Sequence, residues 1–409
     1  MHELPPDAEP IDTLRLDVAT GTELAGERTP EAGASISPSI TIAGQRITQH
    51  GSPLIIAEIG VNHDGDPDLA VALIDAAATA GADAIKLQIF EAERLTTRDT
   101  PTAAYQAAAA AGSSQREMLR RLQLPVPALP EIVSEARSRG LTVLATPFDP
   151  ESVDLVRDLG VDAIKIGSGD LTHAPLLQHI AATGRPIICS TGMAAMADVQ
   201  RAVAVITEAA RVAASVPASA ASNARGSGTG PGGDPGPGLA LLHCVSAYPA
   251  PTHDANLRAI PAVHAATGCV VGWSDHCPGN ETAVAAVALG APIIERHLTL
   301  DRGAVGPDHA ASDDPERFAA YVRAIRTAHA ALGDGTKRAT SSEDDVRHAA
   351  RRSIVARQPI PAGTLIEPSM LDFRRPGTGL SPELADDVAG RITAVDIPAE
   401  TLIHRDMLA

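Results

Sequence analysis

The sequence predicts an α/β chain in two parts, a (β/α)8 barrel followed by a small β-rich module. Eight near-continuously apolar β-type runs alternate with helical segments between residues 53 and 332, the pattern of parallel strands covered by helices. Ala-Gly-Ala, Arg-Gly-Leu, Leu-Gly-Val and Leu-Gly-Ala mark helix exits, where glycine accepts the left-handed conformation. Near the end, residues 360–371 read IPAGTLIEPSML and 397–408 read IPAETLIHRDML. That duplication implies a compact module with internal pseudo-two-fold symmetry. A chance likeness of two turns is the alternative, and the shared register argues against it. For the larger part, an open doubly wound sheet is the rival. No Gly-rich phosphate loop follows the first strand, and a count of eight favours closure.

In chain order, residues 1–38 are rich in Pro, Glu and Ala with no sustained period, and read as a disordered extension. Residues 39–42 (SITI) and 45–48 (QRIT) flank Ala43-Gly44, a hairpin pattern suited to plugging the base of a larger sheet. The barrel domain spans 39–332. Its strands read at 54–60, 84–90, 141–148, 163–169, 186–192, 240–247, 270–276 and 293–300. Helices read at 67–80, 129–139, 150–159, 196–210, 281–289 and 314–332, among others. Residues 212–238 are crowded with Gly, Pro, Ser and Ala. This low-complexity insertion precedes the sixth strand, on the face away from a barrel's active site, and receives no role. Residues 333–345 read as a polar linker and 346–409 as the second domain.

Composition limits the function. At 409 residues the chain exceeds one ordinary domain. Its formal charge of −17, from 33 basic and 50 acidic residues, argues against nucleic-acid partners and against an anionic membrane surface. An anionic small substrate stays open, because a few lysines in a pocket act locally. Cys189, Cys244, Cys269 and Cys277 form no CxxC pair and read as reduced thiols of a cytoplasmic protein. No apolar run approaches the roughly 18 residues of a membrane span, and the acidic N-terminus does not read as a secretory signal.

The chemistry concentrates where strands end. Two apolar runs end on His276 and His297, 297 − 276 = 21 positions apart, with a small-residue helical segment between them. Parallel neighbours need such a crossover, so the imidazoles fall at equivalent ends of adjacent strands, where they can grip a divalent metal. The GPDH turn containing Asp308 follows within reach. A merely solvated or hydrogen-bonded histidine is the other reading of each. The remaining strand ends bring Glu58 and the Asn62-His63-Asp64-Gly65 turn, Lys86 with Gln88, and Thr146 to one mouth. They also bring Lys165 with Ser168 and Asp170, Ser190-Thr191, Ser246 with Tyr248, and Ser274-Asp275. A charge inside an apolar strand is costly unless paired or used. Salt bridges from Lys86 and Lys165 to Glu58 or Asp170 are one account. The other is an anion site for phosphate and carboxylate, with lysines as point charges and hydroxyls as donors. Manganese or magnesium suits a two-histidine site amid oxygens, and either polarises an aldehyde. Together these parts describe carbon–carbon bond formation between a phospho-enol and an aldehyde.

From about residue 39 to 409 the chain resembles the sialic acid synthases, meaning N-acetylneuraminate and related nonulosonic acid synthases. The motifs are AEIGVNHDG (57–65), KLQIF (86–90), TPFD (146–149), KIGSGD (165–170), STGM (190–193) and HCVSAYPAP (243–251). SDH (274–276), IERHLTLDR (294–302), GPDH (306–309), RRSIVA (351–356) and RRPGTG (374–379) complete the series. The resemblance implies a TIM barrel joined to an antifreeze-like (SAF) domain. It implies condensation of phosphoenolpyruvate with N-acetylmannosamine or a related amino sugar plus water, releasing phosphate. His276 and His297 would hold manganese, with magnesium or cobalt as substitutes. Lys86, Thr146, Lys165, Ser168, Ser190 and Ser274 would hold phosphoenolpyruvate; Glu58, Gln88, Tyr248 and Asp308 would face the sugar or water. Glu58, Lys86, Lys165 and Asp308 form the implied catalytic set, and Ser246 the implied substrate contact beside Tyr248. Arg375 would reach the acetamido group in trans, within a domain-swapped homodimer. Cys277, Ser246 and Leu298 depart from the common threonine, asparagine and phenylalanine, and are expected to bear on the sugar's identity. A legionaminic, pseudaminic or other keto-deoxy-sugar synthase is the alternative enzyme. A non-catalytic carbohydrate-binding scaffold is the alternative class, opposed by the intact lysine and histidine set.

Overall fold

The structure, a computed structural model, describes residues 39–98, 100–101, 114–215 and 238–409. The expected extension 1–38 and residues 216–237 of the expected insertion lie outside the described residues, while 212–215 continue a helix. The chain divides between Ala331 and Leu332 into two compact units.

The first unit opens with an antiparallel hairpin, β1 (Ser39–Ile42) and β2 (Gln45–Thr48). Eight parallel strands follow: β3 (Leu54–Glu58), β4 (Ala84–Ile89), β5 (Thr142–Pro147), β6 (Ala163–Ile166), β7 (Ile187–Ser190), β8 (Leu239–Cys244), β9 (Val270–Asp275) and β10 (Ile293–His297). They close into a barrel in the order β10-β3-β4-β5-β6-β7-β8-β9, so the expected (β/α)8 barrel is the observed one. Each strand is followed by a covering helix: α1 (Pro67–Ala80), α2 (Leu129–Ser138), α3 (Pro150–Asp158), α4 (Ala174–Ala182), α5 (Met196–Ser215), α6 (Ala259–Thr267), α7 (Glu281–Ala288) and α8 (Pro315–Leu332). Local chemistry sets the boundaries. Asp66 caps α1 by accepting the Asp68 N–H at 2.8 Å, Pro67 occupies the first turn, and Gly81 leaves it at φ 88°. Asp149 does the same for α3 through the Ser152 N–H at 2.8 Å. Several strands are shorter than expected, because the chain turns as soon as it clears the barrel. The run at 163–169 is strand only to Ile166, and Ser168–Asp170 wind into a 3-10 turn.

Side-chain alternation divides every strand between two environments. Outward residues such as Ile55, Ile85, Val143, Ile164, Leu241, Val271 and Ile294 join one large core with the helices. Inward residues at the base, including Ile56, Leu144, Ile188, Leu242 and Ile293, pack with Ile40, Ile42 and Ile47 of the hairpin. The hairpin is therefore the expected plug. Gln49 locks it to the wall, accepting from Val271 N at 2.8 Å and donating to Gly290 O at 2.8 Å. One step further along each strand the inward positions become polar, and that layer forms the site. No helix among the described residues is long and apolar enough to cross a membrane.

The second unit holds helix α9 (Asp344–Ala350) and the antiparallel pair β11 (Ser353–Ala356) and β12 (Leu371–Arg374). Part of the stretch expected to be a linker is helical. Thr340 and Glu343 form a reciprocal capping box that starts the turn Ser341–Glu343 and leads into α9. The duplicated sequence is a duplicated structure. Ile360 and Ile397, the first residues of the two copies, exchange both backbone hydrogen bonds at 2.8 Å. The 3-10 turns Pro368–Met370 and Arg405–Met407 recur at matching places. Gly363 has φ 78° and its counterpart Glu400 has φ 63°, a conformation that costs a non-glycine residue about 1 kcal/mol. Glu400→Gly is expected to stabilise this unit by that order, net of an exposed pair with Arg374 worth little. Denaturant unfolding of the full chain would show it as a raised midpoint for this unit, and a lowered one would refute it.

Candidate active site

The polar layer converges because strand register places its members side by side. Glu58 on β3 pairs with Lys86 on β4, and Gln88 on β4 with Thr146 on β5. Ser274 on β9 pairs with Glu295 on β10, so two residues further His276 stands opposite His297. At the centre is a buried chain of charges. Lys86 Nζ lies 2.6 Å from Glu58 Oε2 and 2.8 Å from Glu295 Oε1. Lys165 Nζ lies 3.6 Å from the same Glu295 oxygen and donates to Ser190 Oγ at 2.7 Å. Ser274 Oγ donates to Glu295 Oε1 at 3.0 Å. Two lysines and two glutamates thus share one buried space, each with an opposite charge within 3.6 Å.

Glu295 is the functional candidate that sequence reading missed. Its signal was present, since it precedes His297 by two positions and so faces inward with it. It also corrects the alternative account of Lys165, whose carboxylate partner is Glu295 and not Asp170. Burial alone would raise the Glu295 carboxyl, but Lys165 and Lys86 outweigh it and hold the group well below the usual carboxylate range. Burial, aided by the nearby Lys165, pulls Lys86 down to about 7 despite Glu295. An entering anion would offset that cost. Thr146 Oγ1 is buried without a protein partner, a hydroxyl left over for a ligand.

Glycines allow the close approaches. A Cβ on Gly60 would sit 2.2 Å from Glu58 Oε1, and the Gly60 N–H itself bonds that oxygen at 2.5 Å. A Cβ on Gly192 would meet Ser246 Oγ at 2.2 Å and Ser168 Oγ at 2.8 Å. The Gly192 N–H instead donates to Ser168 Oγ at 3.0 Å, and Cys244 Sγ lies 3.2 Å from the same hydroxyl.

The histidines stand at the rim of this layer with ring centroids 5.5 Å apart. Tyr248 packs on both, 4.2 Å from His276 and 5.7 Å from His297. Burial keeps both imidazoles neutral, lowering His276 to about 4 and His297 well below its ordinary value. His276 Nδ1 pairs with Val245 O at 2.7 Å, which fixes that nitrogen as the donor and leaves Nε2 with a lone pair. His297 Nδ1 is buried with no hydrogen-bond partner and lies 3.5 Å from Asp308 Oδ2. Burial disfavours charge on both partners of that contact, lowering His297 and pushing Asp308 up to about 7. His276 Nε2, with Ser274 Oγ 3.4 Å away, and the unpartnered His297 Nδ1 are buried imidazole nitrogens beside oxygens, the kind of donor a divalent cation requires. No group of three or more His, Cys, Asp or Glu side chains among the described residues is arranged to hold a metal ion.

Arg375 belongs to the second unit, exposed just after β12. Of the three departures expected to bear on the sugar, two do not face the mouth. Cys277 and Leu298 point outward into the helix-covered core, and only Ser246 lies among the inward hydroxyls.

A family profile for the NeuB family matches residues 73–337, and one for the SAF domain matches 351–409. The chain belongs to the NeuB family. The N,N'-diacetyllegionaminic acid synthase of Campylobacter jejuni subsp. jejuni serotype O:2 is 37% identical over 352 residues, 86% of this chain and 98% of that protein. The N-acetylneuraminate-9-phosphate synthase of Mus musculus is 33% identical over 354 residues, 86% of this chain and 91% of that protein. Among solved structures, the N-acetylneuraminic acid synthetase of Leptospira borgpetersenii serovar Hardjo-bovis in complex with citrate superposes with a TM-score of 0.61 at 29% identity. It covers 77% of this chain and 96% of that one. A NeuB-family barrel followed by a SAF domain is thus the architecture, and NeuB-family relatives named for their activity are acid synthases.

Proposed function

We propose that this chain joins phosphoenolpyruvate to an open-chain N-acetylated amino sugar, adds water and releases phosphate, giving a nonulosonic acid. The observation that carries the reading is one mouth holding two buried lysines, a row of hydroxyls and two buried imidazoles side by side. Such a mouth suits an anion beside a cation. The activities named for the relatives support the same reaction.

Lys86 and Lys165 supply charge to the phosphate and carboxylate, while Thr146, Ser168, Ser190 and Ser274 orient them. His276 and His297 would hold a divalent cation, manganese with magnesium or cobalt as substitutes, which supplies a Lewis acid for the aldehyde oxygen. Gln88, Ser246, Tyr248 and Asp308 face the sugar. Arg375, delivered from a second copy in a domain-swapped homodimer, would donate to the acetamido group. The methylene carbon of phosphoenolpyruvate attacks the aldehyde carbon, leaving electron deficiency at the carbon bearing phosphate. Glu58 and Glu295 stabilise that centre, and Glu58 positions the water that adds to it. The tetrahedral carbon expels phosphate by C–O cleavage and becomes a ketone. One water proton ends on the sugar oxygen and the other on phosphate. Free cysteines and a glycolytic co-substrate suit a cytoplasmic enzyme.

N-acetylmannosamine is the first acceptor to test. An acceptor with two acetamido groups is the second, favoured by the higher identity to the legionaminic acid synthase. A panel of acceptors, scored by phosphate release and product mass, separates them. No release with any acceptor would leave a carbohydrate-binding scaffold. Within the reaction, Glu58→Gln is expected to slow turnover by about 100-fold or more while phosphoenolpyruvate affinity is largely kept. Unchanged turnover would exclude Glu58 as the proton-handling group.

A further inference from the structure

The alternation that turns His276 and His297 inward turns their predecessors, Asp275 and Arg296, outward, and the β9–β10 register sets those two directly side by side. Both are buried between barrel wall and helices, Asp275 at 1% and Arg296 at 3% exposure. Charges there persist only when fully answered. Asp275 Oδ1 accepts the Cys277 N–H at 2.9 Å, and Oδ2 accepts the Thr282 hydroxyl of α7 at 2.9 Å and the Tyr321 hydroxyl of α8 at 2.9 Å. Arg296 forks onto Asp313, Nε to Oδ2 at 2.9 Å and Nη2 to Oδ1 at 3.2 Å. Its Nη1 donates to the Cys277 carbonyl and lies 3.5 Å from Asp275 Oδ1. The guanidinium also stands 5.1 Å over the Tyr321 ring. Asp313 in turn donates its own N–H to the His297 carbonyl at 3.0 Å.

The network therefore holds the peptide groups next to both imidazoles. Cys277, directly after His276, is gripped at its N–H and its carbonyl; His297 is gripped at its carbonyl. None of these charged groups faces the mouth. We infer that Asp275, Arg296, Asp313 and Tyr321 form a buttress behind the barrel wall that sets the separation of His276 and His297, making them positioning residues for a divalent cation. This rests on reading the two histidines as a cation site.

The test is Mn2+ titration of chelator-stripped full-length protein, read by the electron paramagnetic resonance signal of free Mn2+. Inorganic phosphate binding serves as the parallel readout of the lysine pocket. Arg296→Lys keeps the charge and loses the fork, and is expected to weaken Mn2+ binding about 10–100-fold. Tyr321→Phe and Thr282→Val each remove one bond to Asp275 at nearly constant volume. Each is expected to weaken Mn2+ binding by about 10-fold, the lower end of such outer-ligand effects. Phosphate affinity should stay within about twofold in all three, a split that general loosening of the barrel would not give. Should Arg296→Lys not fold, the two near-isosteric variants carry the test alone. Variants that bind Mn2+ as tightly as the unaltered protein, or that lose Mn2+ and phosphate in equal proportion, would overturn the buttress while leaving the histidine site standing. An unaltered protein that binds no Mn2+ would overturn the cation reading, and the buttress with it.

Discussion

Lys86→Met is expected to abolish phosphate release and to destabilise the barrel by about 3–5 kcal/mol, the usual result of removing one partner from a buried ion pair. Methionine approximates the lysine stem, so the loss is electrostatic and not a cavity. The ammonium bridges Glu58 at 2.6 Å and Glu295 at 2.8 Å, with only 7% of its side chain exposed. Without it two buried carboxylates are left with Lys165 alone, which lies 3.6 Å from Glu295. Adding Glu295→Gln removes one of the two charges and is expected to recover a large part of the stability. It should recover none of the turnover, because the pocket still lacks a lysine for the anion. Chemical denaturation and a phosphate-release assay on the single and double variants separate the two effects. If the double variant is no more stable than Lys86→Met, the charge chain is not what holds these residues together. If Lys86→Met still turns over, the anion pocket is misplaced.

The same charge chain shows what the sequence could disclose. Lys86 and Lys165 were legible because a charge between isoleucines and leucines is rare without a partner or a use. The two histidines were legible because a 21-residue offset across a crossover returns to the same level of the neighbouring strand. Glu295 was passed over for a reason of the same kind. The run was read for the histidine it ends on, whereas period-two alternation from His297 already turned Glu295 inward. Cys277 and Leu298 failed in the opposite sense. Departure from the family's common residues suggested a bearing on the sugar, but one step along a strand from an inward histidine is a change of face. Asp275 and Arg296 show how much rests on that step, since their partners come from α7, α8 and the turn at Asp313. No spacing rule links those positions. Strand ends also ran long on paper, because serines and glycines after the barrel are compatible with extended backbone until the turn at Ser168–Asp170 is seen.

Chelation is expected to slow phosphate release about a thousandfold and to lower the unfolding midpoint only by the mass-action contribution of the lost ion, with activity restored by Mn2+. The first half follows from charge. An aldehyde oxygen that gains negative character needs a cation nearby, and in this mouth both lysines are already engaged with carboxylates. Losing a Lewis acid worth several kcal/mol corresponds to about a thousandfold in rate. The second half follows from how the imidazoles are held. His276 is fixed through its Nδ1 to Val245 O at 2.7 Å, and Tyr248 packs against both rings. Neither histidine is a strut in the apolar core, which is built from the outward residues and the plugged base. The fold is therefore expected to stand without metal, unlike a zinc-stapled domain. His297→Asn should reproduce the chelated protein and resist rescue by Mn2+. Undiminished turnover after exhaustive chelation would remove the cation from the reaction. A drop in midpoint larger than mass-action binding of Mn2+ at the measured affinity accounts for would give the ion a structural part as well.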